Sequence, residues 1–123
     1  MLSLRGVYEI GIRVKNLARS EAFYCDLLGL KRGLRAEQGK WLFLWVDGRA
    51  GMVVLQEDDG DWPTQHFAFA VEEEELARAA DMLEEQGIAV RGPVYHRWMQ
   101  AKSLYCSDPD GHELEFCAPL PVE

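Results

Sequence analysis

Apolar and polar residues alternate along two separate stretches of the chain, and each alternation predicts a β-strand. The first stretch starts at Tyr8 and the second at Gln65. Each is followed by apolar residues at helical spacing and then by a glycine that ends the predicted helix, Gly29 in one case and Gly87 in the other. The two halves of the chain therefore predict the same succession of strand, helix and strand.

Two more strands are predicted in each half, and each pair is joined by a sequence typical of a tight turn. The turns are Asp47-Gly48 and Asp108-Pro109-Asp110-Gly111, in which glycine tolerates a positive φ and proline presets the backbone. The strands predicted on either side of these turns are 40–46, 51–56, 102–107 and 112–117.

These elements predict an α+β fold made of two tandem β-α-β-β-β modules. The first module covers about residues 5–57 and the second about residues 65–119. A polar linker of about residues 57–64, punctuated by glycine and proline, joins them. The whole chain, 1–123, is predicted to be a single domain.

The composition is that of a folding, acidic protein, and it excludes several classes of partner. Of the 123 residues, 48% are hydrophobic, which is enough for a packed core. The formal net charge of −8 has the wrong sign for a nucleic-acid backbone or an anionic membrane surface, and no apolar run approaches a membrane span of roughly 20 residues. The three cysteines form no C-x-x-C pair and no signal-peptide pattern precedes the first strand, so we predict a cytoplasmic protein.

The alternation also sorts the side chains of each strand between two faces. In the strands that begin at Glu9 and His66, bulky apolar residues take one face and are expected to cover the helix. Small or polar residues take the other face, which leaves room for a cavity. The residues predicted on the cavity side of these two strands and of the last strand are Glu9, Gly11, Arg13, His66, Ala68, Ala70, Glu113, Glu115 and Cys117.

Three of these side chains, Glu9, His66 and Glu115, can point into one concave space. Taken singly, a strand histidine is usually a satisfied structural residue, and Glu115 alone is usually a solvated carboxylate. Glu9 stands in an otherwise apolar strand, where burial would penalise an unpaired charge. One divalent cation would accommodate all three, because two anionic oxygens and a neutral imidazole neutralise it and leave coordination positions open.

Three segments of the sequence resemble a known family: EIGIRVKNLARSEAFYCDLLGL (9–30), HFAFAV (66–71) and SLYCSDPDGHELEF (103–116). Together with the paired modules, they resemble the vicinal oxygen chelate superfamily over about residues 5–119. This is the glyoxalase, bleomycin-resistance and extradiol-dioxygenase group. The resemblance implies a curved, mostly antiparallel sheet that forms a cup, and a homodimer in which modules of two chains complete each cup.

The resemblance also implies a metal site. The family's ligand positions correspond here to Glu9, His66 and Glu115, which implies one divalent ion, either Mn, Ni, Zn or Fe(II). The chain departs from the family at two of these places. The first ligand is usually His and is here Glu9, and Val54 stands where some members add a fourth ligand.

The function implied is that of a divalent-metal-dependent enzyme acting on a small oxygen-bearing substrate chelated at the metal, of lyase, isomerase or transferase type. Tyr105 and His96 are the candidates for proton transfer or substrate hydrogen bonding. Arg13, Trp98 and Lys102 are the candidates for further contacts to the substrate.

Within the same family, the fosfomycin-resistance thiol transferases and hydrolases share the pattern of Lys102, Ser103, Tyr105 and His112. In the thiol transferases an activating Thr follows two residues after the first ligand, where this chain has Gly11. That difference weakens the prediction that fosfomycin is the substrate, but it does not weaken the predicted class of mechanism.

Two alternative functions remain open from the sequence. An extradiol-type ring-cleaving dioxygenase is favoured by the order of His96, Tyr105, the Asp-Pro turn and Glu115, although oxygen-activating ferrous sites usually combine two histidines with one carboxylate. A metal-free protein that sequesters an antibiotic, as in the bleomycin-resistance branch, would need an aromatic wall. The aromatic residues available for such a wall are Trp41, Phe43, Trp45, Trp62 and Trp98.

Overall fold

The structure is a computed structural model that describes residues 1–36 and 38–121. The chain divides into two compact units, Met1–Pro63 and Thr64–Glu123. Each unit contains a strand, a helical segment and three further strands, so the predicted β-α-β-β-β order is confirmed in both. None of the described helices has the length and apolar character needed to cross a membrane.

The first unit is built on a four-stranded mixed sheet. Its elements are β1 (Glu9–Val14), α1 (Leu17–Glu21) continued by a π-helical segment (Ala22–Leu27), β2 (Lys31–Arg35), β3 (Trp41–Val46) and β4 (Gly51–Glu57). The strand order is β1-β4-β3-β2, with β1 parallel to β4 and the other two pairings antiparallel. Ile12 and Val14 are buried, as predicted for the helix-covering face of β1.

The helix of the first unit departs from the predicted α-helical periodicity in its second half. Asn16 caps α1, because its side-chain oxygen accepts a hydrogen bond of 2.9 Å from the N–H of Arg19. The chain then widens into the π-helical segment, where the consecutive residues Phe23, Tyr24 and Cys25 are all buried. A wider turn brings consecutive side chains closer to one face, and a 3.6-residue pattern cannot reveal it.

The second unit repeats this arrangement. Its elements are β5 (His66–Ala70), α2 (Glu75–Glu85), β6 (Arg91–His96), β7 (Ala101–Ser107) and β8 (Glu113–Pro119). The strand order is β5-β8-β7-β6, with β5 parallel to β8 and the other two pairings antiparallel. Leu76 and Leu83 of α2 are buried, as the apolar stripe predicts, and Gly87 follows the helix with a φ of 78°.

The alternation of side chains along β8 sets up the site face of this sheet. Leu114, Phe116 and Ala118 are buried on one side of the strand, and the ring of Phe116 stacks on Phe69 of β5 with centroids 6.0 Å apart. The intervening residues, beginning with Glu113, therefore lie on the opposite side of β8. Because β5 is the parallel neighbour of β8, its first residue, His66, lies beside Glu113.

Candidate metal and substrate site

The imidazole of His66 lies between two carboxylates of the neighbouring strand. Its Nδ1 is 3.1 Å from Oε1 of Glu113, and its Nε2 is 3.0 Å from Oε1 of Glu115. The register of the parallel pair explains this arrangement, because His66 is paired with Glu113 and the next residue on the same face of β8 is Glu115. The structure thus brings together two of the three side chains predicted to bind a metal.

Glu115 is the most buried carboxylate of this cluster, with only 7% of its surface exposed. Its second oxygen, Oε2, accepts a hydrogen bond of 2.5 Å from the hydroxyl of Ser103 on β7. Both oxygens of this carboxylate are therefore engaged, one by Ser103 and one by His66. A buried carboxylate held in this way is fixed in direction and keeps its hydrogen-bonding capacity satisfied.

Tyr105 and His96, the two candidates for proton transfer, are in direct contact. The Tyr105 hydroxyl lies 2.6 Å from Nε2 of His96, and the Tyr105 ring lies nearly parallel to that of His66 with centroids 6.4 Å apart. Burial raises the pKa of Tyr105, and the hydrogen bond with Ser103 opposes this shift. The hydroxyl therefore stays protonated at neutral pH and can donate a hydrogen bond.

Trp98, a predicted substrate contact, stands in the turn between β6 and β7. Its side chain is 83% exposed, and its ring centroid is 6.5 Å from that of His96. An exposed aromatic surface next to the His96–Tyr105 pair could contact the apolar part of a ligand.

Arg91, the first residue of β6, also belongs to the cluster, although the sequence did not identify it. Its guanidinium carbon lies 4.1 Å from the centroid of the Tyr105 ring, and one of its nitrogens is 3.8 Å from Oε2 of Glu113. A cavity of about 200 Å³ opens beside these three residues. The alternation of β6 could not predict this contact, because its register with β7 shifts between Arg91 and Val94.

Of the other predicted site residues, Lys102 belongs to this unit and Glu9 and Arg13 belong to the first. Lys102 alternates with Ser103 on β7 and so points to the opposite face, where its ammonium lies 2.7 Å from a carboxylate oxygen of Glu73. Glu9 and Arg13 belong to β1 of the first unit. Glu9 is exposed, and Arg13 forms an ion pair of 3.4 Å with Asp58. Their part in a site stays a prediction.

The chemistry and spacing of His66 and Glu115 fit a divalent ion. Two donors bonded to one octahedral ion at about 2.1 Å and at right angles lie about 3.0 Å apart. Nε2 of His66 and Oε1 of Glu115 already lie 3.0 Å apart in the ion pair that they form without an ion, so they can take up an ion with little movement. Imidazole nitrogen and carboxylate oxygen suit Mn, Fe, Ni and Zn alike. In the part of the chain that the structure describes, no three His, Cys, Asp or Glu side chains are grouped to hold an ion, so this cluster supplies two ligands and not a complete set.

The chain is similar to several known proteins. The chain is 33% identical to the glutathione transferase FosA of Serratia marcescens, in an alignment covering 91% of this chain and 79% of that protein. It is 35% identical to the catechol-2,3-dioxygenase of Bacillus subtilis over 89% of this chain, but it spans only 40% of that protein's length.

A solved structure and a family model extend these likenesses to the whole fold. The integron cassette protein HFX_CASS4, from the mobile metagenome of the Halifax Harbour sewage outfall, is 50% identical and superposes with a TM-score of 0.90, covering 94% of this chain and 99% of that one. The model of the glyoxalase/bleomycin resistance protein/dioxygenase superfamily matches residues 6–116, which confirms the resemblance stated from the sequence. The chain belongs to the glyoxalase/bleomycin resistance protein/dioxygenase superfamily.

Proposed function

We propose that the protein is a divalent-metal-dependent enzyme that binds a small oxygen-bearing substrate at the ion and catalyses a reaction of lyase, isomerase or transferase type. His66 and Glu115 are two of the ligands, and Glu9 is the third. The observation that carries the proposal is the convergence of Nε2 of His66 and Oε1 of Glu115, 3.0 Å apart, with each side chain held from its other side by Glu113 or Ser103.

The surroundings of these two side chains support the same proposal. A histidine that binds a metal usually donates its other N–H to a carboxylate or carbonyl, and Nδ1 of His66 faces Glu113 at 3.1 Å. A carboxylate that binds a metal is usually held through its other oxygen, and Oε2 of Glu115 accepts a hydrogen bond from Ser103. Both proposed ligands thus have the supporting contacts that metal ligands have.

The bound ion would supply Lewis acidity, polarising the substrate oxygens. The chain's own residues bind and orient the substrate around it. Tyr105 offers a protonated hydroxyl as a hydrogen-bond donor, and His96, whose Nε2 lies 2.6 Å away, orients that hydroxyl and is the candidate for proton transfer with the substrate. Arg91 and Trp98 present a cation and an aromatic surface beside them. Among the three reaction types, group transfer is supported by the likeness to FosA and is the first to assay.

A ring-cleaving dioxygenase is the second candidate. The hydrogen-bonded pair of His96 and Tyr105 favours it, because such a pair can move a proton from a catechol hydroxyl. The likeness to the catechol-2,3-dioxygenase supports it too, although it covers only 40% of that protein. The cluster itself argues against it, since it contains one imidazole ligand where oxygen-activating ferrous sites usually have two.

Metal content tests the proposal directly. Protein purified without chelators and incubated with Mn²⁺, Ni²⁺, Zn²⁺ or Fe²⁺ should retain one ion per chain, and the His66→Ala and Glu115→Gln variants should lose it. The His96→Ala variant is the matched control and should keep the ion, because His96 contacts Tyr105 and neither proposed ligand. Wild-type protein that retains none of these ions would overturn the proposal, and tight binding of a planar drug by that metal-free protein would indicate sequestration instead.

Activity assays then separate the two enzymatic candidates. Metal-dependent consumption of glutathione in the presence of a small electrophile would indicate group transfer. Oxygen uptake with catechols, restored by ferrous iron, would indicate the dioxygenase. In either case the Tyr105→Phe variant should retain the metal and lose turnover, because the substitution removes only the hydroxyl.

A further inference from the structure

Glu113 contacts both the proposed metal ligand His66 and the Arg91 side chain, yet it is not itself placed to bind the same ion. We propose that Glu113 is a positioning residue, which holds the His66 ring with Nε2 directed at Glu115. The consequence for metal binding rests on the proposed function, whereas the contacts that Glu113 makes do not.

The first step concerns the two nitrogens of the His66 ring. A neutral imidazole carries one N–H, and only the nitrogen without the proton can bind a metal. Oε1 of Glu113 lies 3.1 Å from Nδ1, where it can accept a hydrogen bond from that nitrogen. In the metal-free protein Oε1 of Glu115, 3.0 Å from Nε2, competes with Glu113 for this proton. When the proton is held on Nδ1, the lone pair is on Nε2, where an ion can take the place of the contact with Glu115.

The same geometry distinguishes the two carboxylates of β8. Glu113 approaches the ring at Nδ1, and Glu115 approaches it at Nε2. Because the lone pairs of the two nitrogens diverge in the ring plane, an ion bound to Nε2 is reached by Glu115 and not by Glu113. Glu115 is therefore assigned as the ligand, and Glu113 as the residue that orients the ring.

The second oxygen of Glu113 faces Arg91. The distance from Oε2 to the nearer guanidinium nitrogen is 3.8 Å, and the side chains are 49% and 63% exposed. An ion pair as long and as exposed as this one adds little to stability. The position of the guanidinium is accounted for by its contact with the Tyr105 ring, whose centroid lies 4.1 Å away.

The test compares Glu113→Leu, which removes the acceptor, with Glu113→Gln, whose amide oxygen can still accept from Nδ1. Glu73→Gln is the matched control, because Glu73 is similarly exposed (46%) and pairs with Lys102 away from the cluster. The dissociation constant of Zn²⁺, measured by calorimetric titration, should rise about 10- to 100-fold in Glu113→Leu. It should rise less in Glu113→Gln, and it should not change in Glu73→Gln.

A spectroscopic measurement separates this role from a merely structural one. Nitrogen NMR of metal-free protein at alkaline pH, where imidazole rings are neutral, reports which ring nitrogen of His66 carries the proton. The form protonated on Nδ1 should be populated in the wild type, depleted in Glu113→Leu and recovered in Glu113→Gln. Identical proton positions in the wild type and Glu113→Leu would overturn the proposal.

The two measurements also keep this inference distinct from the proposed function. Wild-type protein that binds no metal, but shows the shift of the His66 proton in Glu113→Leu, would refute the metal enzyme and uphold the positioning role. Wild-type protein that binds metal, but shows no such shift, would refute the positioning role alone.

Discussion

The backbone N–H of Gln65 donates a hydrogen bond of 3.0 Å to Nδ1 of His112, a histidine with no exposed surface. The backbone carbonyl of Gln65 in turn accepts from the N–H of Glu113 at 2.8 Å. The residues that follow Gln65 and His112 are His66 and Glu113, the first residues of β5 and β8. His112 therefore fixes the two strands against each other at the point where the candidate site begins.

We expect replacement of His112 to destabilise the protein. His112→Ala would leave a cavity and remove the acceptor for Gln65, at a cost of about 3 kcal/mol. His112→Asn should cost less, because its side-chain oxygen stands close to the position of Nδ1 and can still accept. The measurement is denaturant unfolding of the metal-free proteins, and equal losses in the two variants would show that the hydrogen bond contributes nothing.

The hydroxyl of Tyr105 should ionise above the ordinary tyrosine value of about 10, because burial raises its pKa. A raised pKa in the folded state gives a stabilising contribution that is complete below the pKa of the unfolded chain and is lost as the pH rises through the folded one. Ultraviolet titration of the wild type minus Tyr105→Phe isolates this group. Tyr95→Phe, which removes an exposed tyrosine of β6, is the control, and a Tyr105 titration at or below the ordinary value contradicts the prediction.

The three cysteines should differ in their reactivity toward alkylating reagents. Burial raises the pKa of Cys106 to about 11, assisted by Asp108, and burial also raises the pKa of Cys25. At neutral pH about one Cys106 thiol in ten thousand is then ionised. Cys117 is partly exposed on the site face of β8.

We therefore expect iodoacetamide to modify Cys117 first in the folded protein, as followed by mass spectrometry of the peptides. All three thiols should react once the chain is unfolded, which serves as the internal control. Modification of Cys106 as fast as that of Cys117 under native conditions would show that Cys106 is accessible and contradict the structure.

The prediction that modules of two chains complete each site can be tested by mixing two inactive variants. Glu9→Ala and His66→Ala should each lose the metal. If a site takes Glu9 from one chain and His66 from another, a mixed dimer of the two variants contains one intact site. We expect unfolding and refolding the mixture to recover metal binding, measured by elemental analysis.

Two results would contradict that prediction in different ways. Metal retained in full by Glu9→Ala would show that Glu9 is not a ligand. Metal lost in both variants, with none recovered in the refolded mixture, would place Glu9 and His66 of one chain in the same site.

Side-chain alternation was sufficient to predict which residues of β5 and β8 share a face. A period of two is a local property, and it placed His66 on the same side as Glu113 and Glu115 without knowledge of tertiary packing. The repeated turn and helix signals likewise predicted the order of elements in both units.

Contacts that depend on irregular backbone could not be predicted in this way. Arg91 reaches Tyr105 only because the β6–β7 register shifts, and a period of two does not predict such a shift. The sequence signal for it is the Gly92-Pro93 pair inside β6. Lys102 was predicted to contact substrate, but it lies on the other face of β7 and pairs with Glu73. The alternation of Lys102 with Ser103 already implies this placement, so the sequence itself contains the signal.

The alternation of core-facing and site-facing residues along β8 has an evolutionary consequence. Leu114 and Phe116 pack against the interior, whereas Glu113 and Glu115 face the ring of His66. Core residues and site residues therefore alternate along one strand. Substitutions at the site-facing positions of β8 can therefore be selected without disturbing the residues that pack in the core. A single scaffold of this kind can diversify into many reactions while its interior stays the same.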